Sequence, residues 1–578
     1  MTELIICEKP SQSQKVAEAL ADTKPIKHTS KDKVTYYEVK RGKKEILIAC
    51  AVGHLYALNE KNKKGWTYPV YDVGWEEANK VRKDALFTKK YLDQIKTLAK
   101  KADKFIVSTD VDVEGEVIGL NVIRYACQQK DAYRMKFSTL TKDELEQAYE
   151  KAQKHLDWGL ARAGETRHIL DWIWGINSSR ALTLAIKSTG SFKILSSGRV
   201  QGPALKLIVD KEKEIQKFKS EPYWELEAKT PQFSAWHKTG KFWDKKEIEK
   251  ILKKTKDKDA IVESVKTTQL EIAPPNPFDL TSLQLEAYRQ LGISPKMTLS
   301  YSQNLYTSAY ISYPRTSSQQ LPPSLGYKKI ITQLSKQKTY EKICAELLSK
   351  KTLFPNNGKK NDPAHPAIHP TGISPKKLTG KKLELYDLIV RRTLASFGDK
   401  AKKETNTINL DINQELFVAK GSRVIKPGWY TIYGKYSRTK DEDLPKVKAN
   451  DKIKVKSIQK HDKETQPPKR FTPASIIKEL EKRNLGTKST RAAIIDSLYQ
   501  RNYLNEKSIQ ATELGIEIID TLKKYCPELL DEQLTRHFEL EMDKIQEGKK
   551  QEDTIIKEAK TVLNKIFKEF KENEKKNR

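Results

Sequence analysis

The chain has 578 residues, enough for about four domains, and its 108 Lys and Arg against 76 Asp and Glu give a formal charge of +32. With 37% hydrophobic residues it is not a disordered chain, and no apolar run approaches the ~20 residues of a membrane span. Its five cysteines, Cys7, Cys50, Cys127, Cys344 and Cys526, show no CxxC spacing, which supports neither a disulfide framework nor a zinc ribbon and points to a reduced, intracellular setting. The excess of positive charge points to a polyanion, nucleic acid foremost, because phosphate contacts release counterions; a merely soluble basic surface is the alternative.

Leu4-Ile5-Ile6-Cys7 has the pattern of a buried strand and leads through Glu8-Lys9-Pro10-Ser11 into a helical stretch. Phe105-Ile106-Val107-Ser108 repeats the pattern and runs through Thr109-Asp110-Val111-Asp112-Val113-Glu114-Gly115-Glu116 into another helix. Such units predict a parallel α/β sheet, whose ligand sites lie beyond the carboxyl ends of strands. If strand geometry persists, Asp110 and Asp112 aim to one side and can share a divalent ion such as magnesium. Acids in a first helical turn also complement its dipole, so that reading stands beside the metal.

Thr141 to Glu144 reads as a capping box. Helices follow to about residue 218, interrupted by Ser196-Ser197-Gly198-Arg199-Val200-Gln201-Gly202-Pro203, which suits phosphate or base edges or is simply a helix N-terminal loop. Strands are predicted over 223–228 and 260–265, helices over 281–404, then strands over 407–412, 415–419, 429–433 and 452–457. One β domain split by a helical insert accounts for this order, with the insert free to move on two strands.

Within the insert, residues 298–310 read as a helix that must stop near Tyr313, because Pro314 pushes the preceding residue into extended geometry. Tyr313 and Arg315 then share a face. A phenol beside a guanidinium is equipped to attack a phosphodiester, the cation favouring phenolate and holding phosphate oxygens; alone, the pair also fits an ordinary helix exit. Three prolines stiffen Asp362-Pro363-Ala364-His365-Pro366-Ala367-Ile368-His369-Pro370, whose histidines suit either a phosphate or a metal. Residues 472–505 read as helix, Gly486 turn and helix, ringed by Lys482, Arg483, Lys488 and Arg491, a DNA-binding unit or a plain helical hairpin. The 551–578 segment carries Ile555, Ala559, Val562, Leu563, Ile566 and Phe570 at helical spacing.

Together these motifs resemble the type IA DNA topoisomerases, from Glu8 to about residue 545 and in the family's order. Glu8-Lys9-Pro10 and Asp110-x-Asp112-x-Glu114-Gly115-Glu116 look like the halves of a Toprim site, and Ile311-Ser312-Tyr313-Pro314-Arg315-Thr316 is similar to the nucleophile motif. Ser197-Gly198-Arg199-Val200-Gln201 and Ala364-His365-Pro366-Ala367-Ile368 are similar to further signatures. Glu-Lys-Pro together with Leu485-Gly486-Thr487-Lys488-Ser489-Thr490-Arg491 looks closest to the archaeal and topoisomerase III-like branch.

The resemblance implies a multidomain α/β, α and β torus: a Toprim domain (1–140), a helical DNA-binding domain (141–218 and 470–578), a split β arch (219–275 and 405–469) and a helical domain carrying the tyrosine (276–404). It implies that Tyr313 cleaves one DNA strand through a 5′-phosphotyrosyl link, passes a strand and religates, relaxing negative supercoils without ATP; no GxxxxGK[ST] motif is present. Arg315 and His365 would support the phosphate, Lys9 would protonate the leaving 3′-oxygen with help from Glu8, and Glu8, Asp110, Asp112 and Glu114 would hold one or two Mg²⁺ ions. Arg167, Asp171, Ser196, Arg199, Gln201, Thr490 and Arg491 match the single-strand groove. The implied setting is a cytoplasmic, nucleoid-associated monomer, with RNA as a substrate, decatenation and a helicase partner all left open. Val113 stands where many relatives carry Arg. The four-cysteine zinc ribbons of relatives are missing from this sequence, so no zinc and less processive relaxation are expected. The rival readings are another Toprim enzyme, such as a nuclease or primase, a non-catalytic single-strand binder on the same scaffold, and the topoisomerase half of a split reverse gyrase.

Overall fold

The computed structural model describes residues 1–63, 65–187, 197–437 and 441–576. The apolar run near the N-terminus becomes β1 (Thr2–Cys7), the inner strand of a six-stranded sheet ordered β2-β3-β4-β1-β7-β8. Its companions are β2 (Ile26–Thr29), β3 (Thr35–Arg41), β4 (Lys44–Cys50), β7 (Lys104–Ser108) and β8 (Tyr133–Arg134). A separate hairpin pairs β5 (Tyr56–Glu60) with β6 (Val73–Glu77). Both neighbours of β1 run parallel to it, so both faces are covered and its last four residues, Leu4 to Cys7, are continuously apolar. Ile5 and Cys7 enter one core with Val16 and Leu20, whereas Leu4 and Ile6 enter another with Leu92 and Ile118. The two-residue period of the strand thus feeds two layers.

A long helix, Trp158–Lys187, packs beside this unit against the helix Val113–Asn121. It shares a core with the helices of the chain's last third: Leu170, Ile173 and Trp174 lie in one apolar cluster with Ile476, Leu498, Phe538, Leu563 and Phe570. Among the described residues no helix is long and apolar enough to cross a membrane.

The third unit is a seven-stranded antiparallel sheet ordered β14-β11-β12-β13-β10-β9-β15. Its strands come from two stretches of chain: β9 (Pro222–Lys229), β10 (Ser234–His237) and β11 (Ala260–Ile272), then β12 (Ala401–Asp411), β13 (Leu416–Lys426), β14 (Lys452–Ile453) and β15 (Ser457–Glu464). The chain leaves at Ile272 and returns at Ala401, and those two residues are cross-strand partners. The helical insert, residues 273–400, therefore hangs from the tip of one ribbon. Residues 266–271 of β11 are exposed, so no core stiffens the ribbon where the insert is attached.

Three local expectations are corrected. Residues 429–433, predicted as a strand, form a short helix, Trp429–Tyr433, between Gly428 and Gly434, both at positive φ. Trp429, Ile432 and Tyr433 stand at helical spacing, and this turn packs on the insert helix Gly380–Ala395. The capping box at Thr141 does not form: Glu144 turns back to accept from the Ser138 N–H (2.5 Å) and the Thr139 hydroxyl. The helix predicted over 298–310 spans Pro295–Thr307, because Ser294 caps it with Pro295 in its first turn, and Ala309 ends it at φ +62.

Candidate active site

Because β1 and β7 are adjacent and parallel, with Cys7 opposite Ser108, the loops that follow them emerge side by side. Lys9 Nζ lies 2.9 Å from both Glu8 Oε1 and Asp110 Oδ2. Asp110 Oδ1 accepts from Tyr306 OH at 3.0 Å and Gln12 Nε2 at 3.3 Å. Asp112 caps the next helix, its Oδ1 accepting from Gly115 N at 2.8 Å, so the helix-dipole reading holds there while the second oxygen stays available. Gly115 is required: a Cβ would stand 2.1 Å from the Asp110 carbonyl oxygen. The loop is locked from below by Arg134, fully buried, which donates to Glu116 Oε2 (2.8 Å) and to the carbonyls of Thr109 and Asp110 (both 2.9 Å).

The insert brings its tyrosine to this loop. The extended segment 312–313 is pinned by Tyr313 N to Ser138 O (2.7 Å) and Ser312 N to His369 O (2.9 Å). Tyr313 is 1% exposed, and its hydroxyl donates to Asp112 Oδ2 at 2.5 Å. Arg315 Nη1 lies 3.6 Å from the same oxygen, as side chains two apart on an extended segment should. Arg315 Nε is buried without a hydrogen-bond partner in the described structure, a donor in need of an acceptor. His365 packs its ring 4.5 Å from that of Tyr313. Its Nε2 lies 2.9 Å from the Val111 carbonyl, which can only accept, so Nε2 carries the proton and Nδ1 accepts from Ser138 Oγ at 2.9 Å. His369 binds the Ala367 carbonyl instead, so the two histidines do not form one site.

Charge balance corrects one expectation. Burial, then Asp112 and Asp110, push the Tyr313 phenol well above its ordinary value, and Arg315 only partly opposes them. In this arrangement the tyrosine is a neutral phenol. Burial and the neighbouring Asp110 likewise push the Glu8 carboxyl up to about 7 against the pull of Lys9, whereas Asp110 and Glu8 keep Lys9 protonated despite its burial. Burial lowers His365, which is neutral near pH 7. A buried carboxylate cluster that raises Glu8's hold on its proton is short of positive charge, and hard oxygen donors of this kind fit Mg²⁺.

Two clefts lead away from the site. One, of about 680 Å³, is bordered by Asp112, Glu114, Arg167, Lys360, Lys488, Thr490 and Arg491. The other, of about 470 Å³, is bordered by Arg167, Asp171, Arg199, Gln201, Thr490 and Arg501. Arg167 and Thr490 line both, so a continuous path runs from Gln201 to Asp112. Ser196 lies outside the described residues. The groove arginines are less free than their sequence positions suggest. Glu539 pairs with Arg167 (2.8 Å) and Arg199 (2.7 Å), and Arg199 also reaches Asp171 at 2.9 Å. Arg491 is turned onto the Leu485 and Gly486 carbonyls, where it holds the turn between the two helices.

The family model described as DNA topoisomerase matches residues 155–557, and the Toprim domain model matches residues 3–140. The chain is 48% identical to DNA topoisomerase 1 of Methanocaldococcus jannaschii, over 99% of this chain and 75% of that protein, and 43% identical to that of Pyrococcus horikoshii, over 99% and 84%. The chain belongs to the type IA DNA topoisomerases. Its fold matches full-length topoisomerase I from Thermotoga maritima with a TM-score of 0.77, covering 98% of this chain and 90% of that one at 24% identity.

Sequence reasoning placed Glu114 with the metal-holding acids of this topoisomerase, and here the structure differs. Glu114 Oε2 faces His54 Nε2 (3.0 Å) and His168 Nε2 (3.1 Å) rather than Asp110 and Asp112. Also missed were Gln12, Arg134, Tyr306 and Glu539. None belongs to a motif of recognisable spacing, and each acts across at least 18 residues of sequence.

Two outcomes follow from these pairings. Arg134→Met leaves Glu116 buried and unpaired, and should cost about 3–5 kcal/mol in denaturant-measured stability. Arg167 and Arg199 outweigh burial and hold Glu539 down to about 2 against an ordinary 4.5. A depressed carboxylate stabilises the fold above its unfolded pKa and loses that contribution as pH falls through the folded one. Thermal melts should therefore show Glu539→Gln well below wild type at pH 7, with the gap closing between about pH 4.5 and 2.

Proposed function

We propose that Tyr313 is the nucleophile of this DNA topoisomerase. The observation that carries the reading is the 2.5 Å hydrogen bond from its hydroxyl to Asp112, made beside a guanidinium with an unpartnered buried donor. Tyr313 Oη attacks a phosphorus of the bound single strand, its proton passing toward Asp112 Oδ2. The bond to the 3′-oxygen breaks, leaving a 5′-phosphotyrosyl ester and a 3′-hydroxyl. Arg315 takes the developing charge on the non-bridging oxygens, and Lys9, kept protonated by its two carboxylates, supplies the proton to the 3′-oxygen. On religation the 3′-hydroxyl gives its proton to Glu8, whose raised proton affinity suits it to accept and which passes it back to Lys9, while the departing Tyr313 oxygen recovers its proton from Asp112. His365 positions the Tyr313 ring and presents Nε2–H to the phosphate when it leaves Val111.

Glu8, Asp110 and Asp112 are the residues that would hold Mg²⁺, which supplies positive charge to a phosphate oxygen and helps to place the broken end. The cleaved strand lies along the path from Gln201 to Asp112, with Arg167, Arg199 and Thr490 beside it. Ester exchange conserves bond energy, so the torsion of underwound DNA drives relaxation without ATP. Between cleavage and religation the insert swings on its β11–β12 ribbon and admits the second strand.

Negatively supercoiled plasmid with Mg²⁺ and no ATP should relax stepwise with wild type and not at all with Tyr313→Phe, and only wild type should leave a denaturation-resistant DNA adduct. An adduct on Tyr313→Phe would overturn the assignment. Arg315→Lys keeps the charge but loses the planar fork. Its single-turnover cleavage should fall about 100-fold or more, with strand binding in a gel-shift assay nearly unchanged.

A further inference from the structure

His54, Glu114 and His168 come from three separate elements, and their convergence is built in. His54 follows β4, whose carboxyl end lies at the same edge of the sheet as those of β1 and β7. Glu114 sits in the first turn of the helix Val113–Asn121. His168 lies one turn beyond Gly164 on the helix Trp158–Lys187. A Cβ at Gly164 would stand 2.4 Å from Val117 Cγ2 and 3.0 Å from Val113 Cγ1. Glycine at that position lets the two helices touch and sets the His168 imidazole against Glu114.

The donor atoms of the three side chains lie within 4.8 Å of one another. The separations of 3.0 and 3.1 Å from Glu114 Oε2 to the two Nε2 atoms are close to the edge of a tetrahedron of ligands about 2.0–2.1 Å from one ion, roughly 3.3 Å. Trp75 packs beside His168, with ring centroids 5.5 Å apart. The side chains remain 28%, 32% and 28% exposed, so an ion can enter. Two imidazoles and one carboxylate make a poor site for a hard ion and a good one for a first-row transition metal.

We propose that His54, Glu114 and His168 bind one transition ion of the Zn²⁺ class, at a site separate from the carboxylates beside Tyr313. The ion ties the loop after β4 and the Toprim helix to the long helix that carries Arg167 and Asp171. Three protein donors leave a position for water or another oxygen ligand.

The test titrates Co²⁺ into chelator-treated full-length protein with Mg²⁺ in excess to saturate the carboxylate site. One equivalent should produce a visible d–d absorption band that Zn²⁺ abolishes, and Zn²⁺ should raise the melting temperature of wild type. Loss of an outer-shell partner alone costs about 10–100-fold in metal affinity. His168→Ala and His54→Ala should therefore each weaken Co²⁺ binding about 100-fold or more and lose the Zn²⁺-dependent stabilisation, whereas Asp110→Asn keeps both. X-ray absorption on Zn²⁺-loaded wild type should show imidazole scattering, a readout independent of whether the variants fold. No band in wild type, a band retained in both histidine variants, or an oxygen-only zinc shell would each overturn the site and leave a hydrogen-bonded His-Glu-His cluster.

Discussion

The hydrogen bond from Tyr313 to Asp112 links two units that are remote from each other along the chain. Asp112 belongs to the loop after the Toprim strand β7 and Tyr313 to an insert whose covalent attachment lies at the far end of a β ribbon. The carboxylate that accepts the phenol's hydrogen bond also caps the helix Val113–Asn121 and faces Arg315. Moving the insert by even the length of one bond separates the Tyr313 hydroxyl from Asp112 and from the neighbouring acids. In the proposed reaction the chemistry is thereby restricted to the arrangement in which Tyr313 is 1% exposed and shielded from water. Burial has a second consequence. It raises the phenol's hold on its proton, so in the proposed reaction the contact that places the tyrosine also keeps it inactive until positive charge is added beside Asp112. A DNA-free molecule that held a buried phenolate would be reactive without purpose.

Electrostatics around that contact are arranged as alternating charges. Lys9 bridges Glu8 and Asp110, and Arg315 faces Asp112, while Arg134 from beneath spends its donors on carbonyls and Glu116 rather than on the acids. Two cations thus face three carboxylates, and burial together with Asp110 pushes the Glu8 carboxyl up. The groove follows the same rule at longer range. Arg167 and Arg199 are held rigid by one buried glutamate, so their ordering entropy is lost at folding rather than on binding a strand.

Much of this was legible from sequence because it depends on short periods. The apolar run Leu4-Ile5-Ile6-Cys7 identifies a buried parallel strand, and the two acids after Ser108 fall at a strand end whatever the rest of the chain does. Tyr313 and Arg315 share a face because Pro314 forces extension at the residue before it. The split sheet with a helical insert was read from strand texture on either side, and Ile272 pairing with Ala401 accords with it. What escaped depends on contacts between remote segments. Glu114 reads as a third metal acid beside Asp112, and only the approach of two helices at Gly164 turns it toward His54 and His168. Arg491 reads as a groove cation, but local carbonyls compete for its donors once the turn forms. Residues 429–433 read as a strand because aromatics favour one, yet their spacing fits a helical turn against a neighbour that sequence does not reveal.

The contacts that seal the insert differ in kind from those that tether it. Its attachment is a ladder of backbone hydrogen bonds along β11 and β12. Its contacts with the helical unit include Lys296 with Asp496, Lys360 with Glu481 and Lys488 with Asp362, of which the partly exposed pairs contribute little individually and are screened by salt. Toward the Toprim unit the seal is apolar: Met135, Phe137 and Leu140 share one cluster with Leu305, Tyr306, Ile311 and Tyr313. Moving the insert away would therefore expose oily surface and unpair Tyr313 from Asp112, and its return would restore both contacts. In the proposed reaction, the force that returns the phosphotyrosyl end to the waiting 3′-hydroxyl is the burial of the residues that hold the nucleophile in place, so a molecule that opens far enough to pass a strand is still drawn back to religate it.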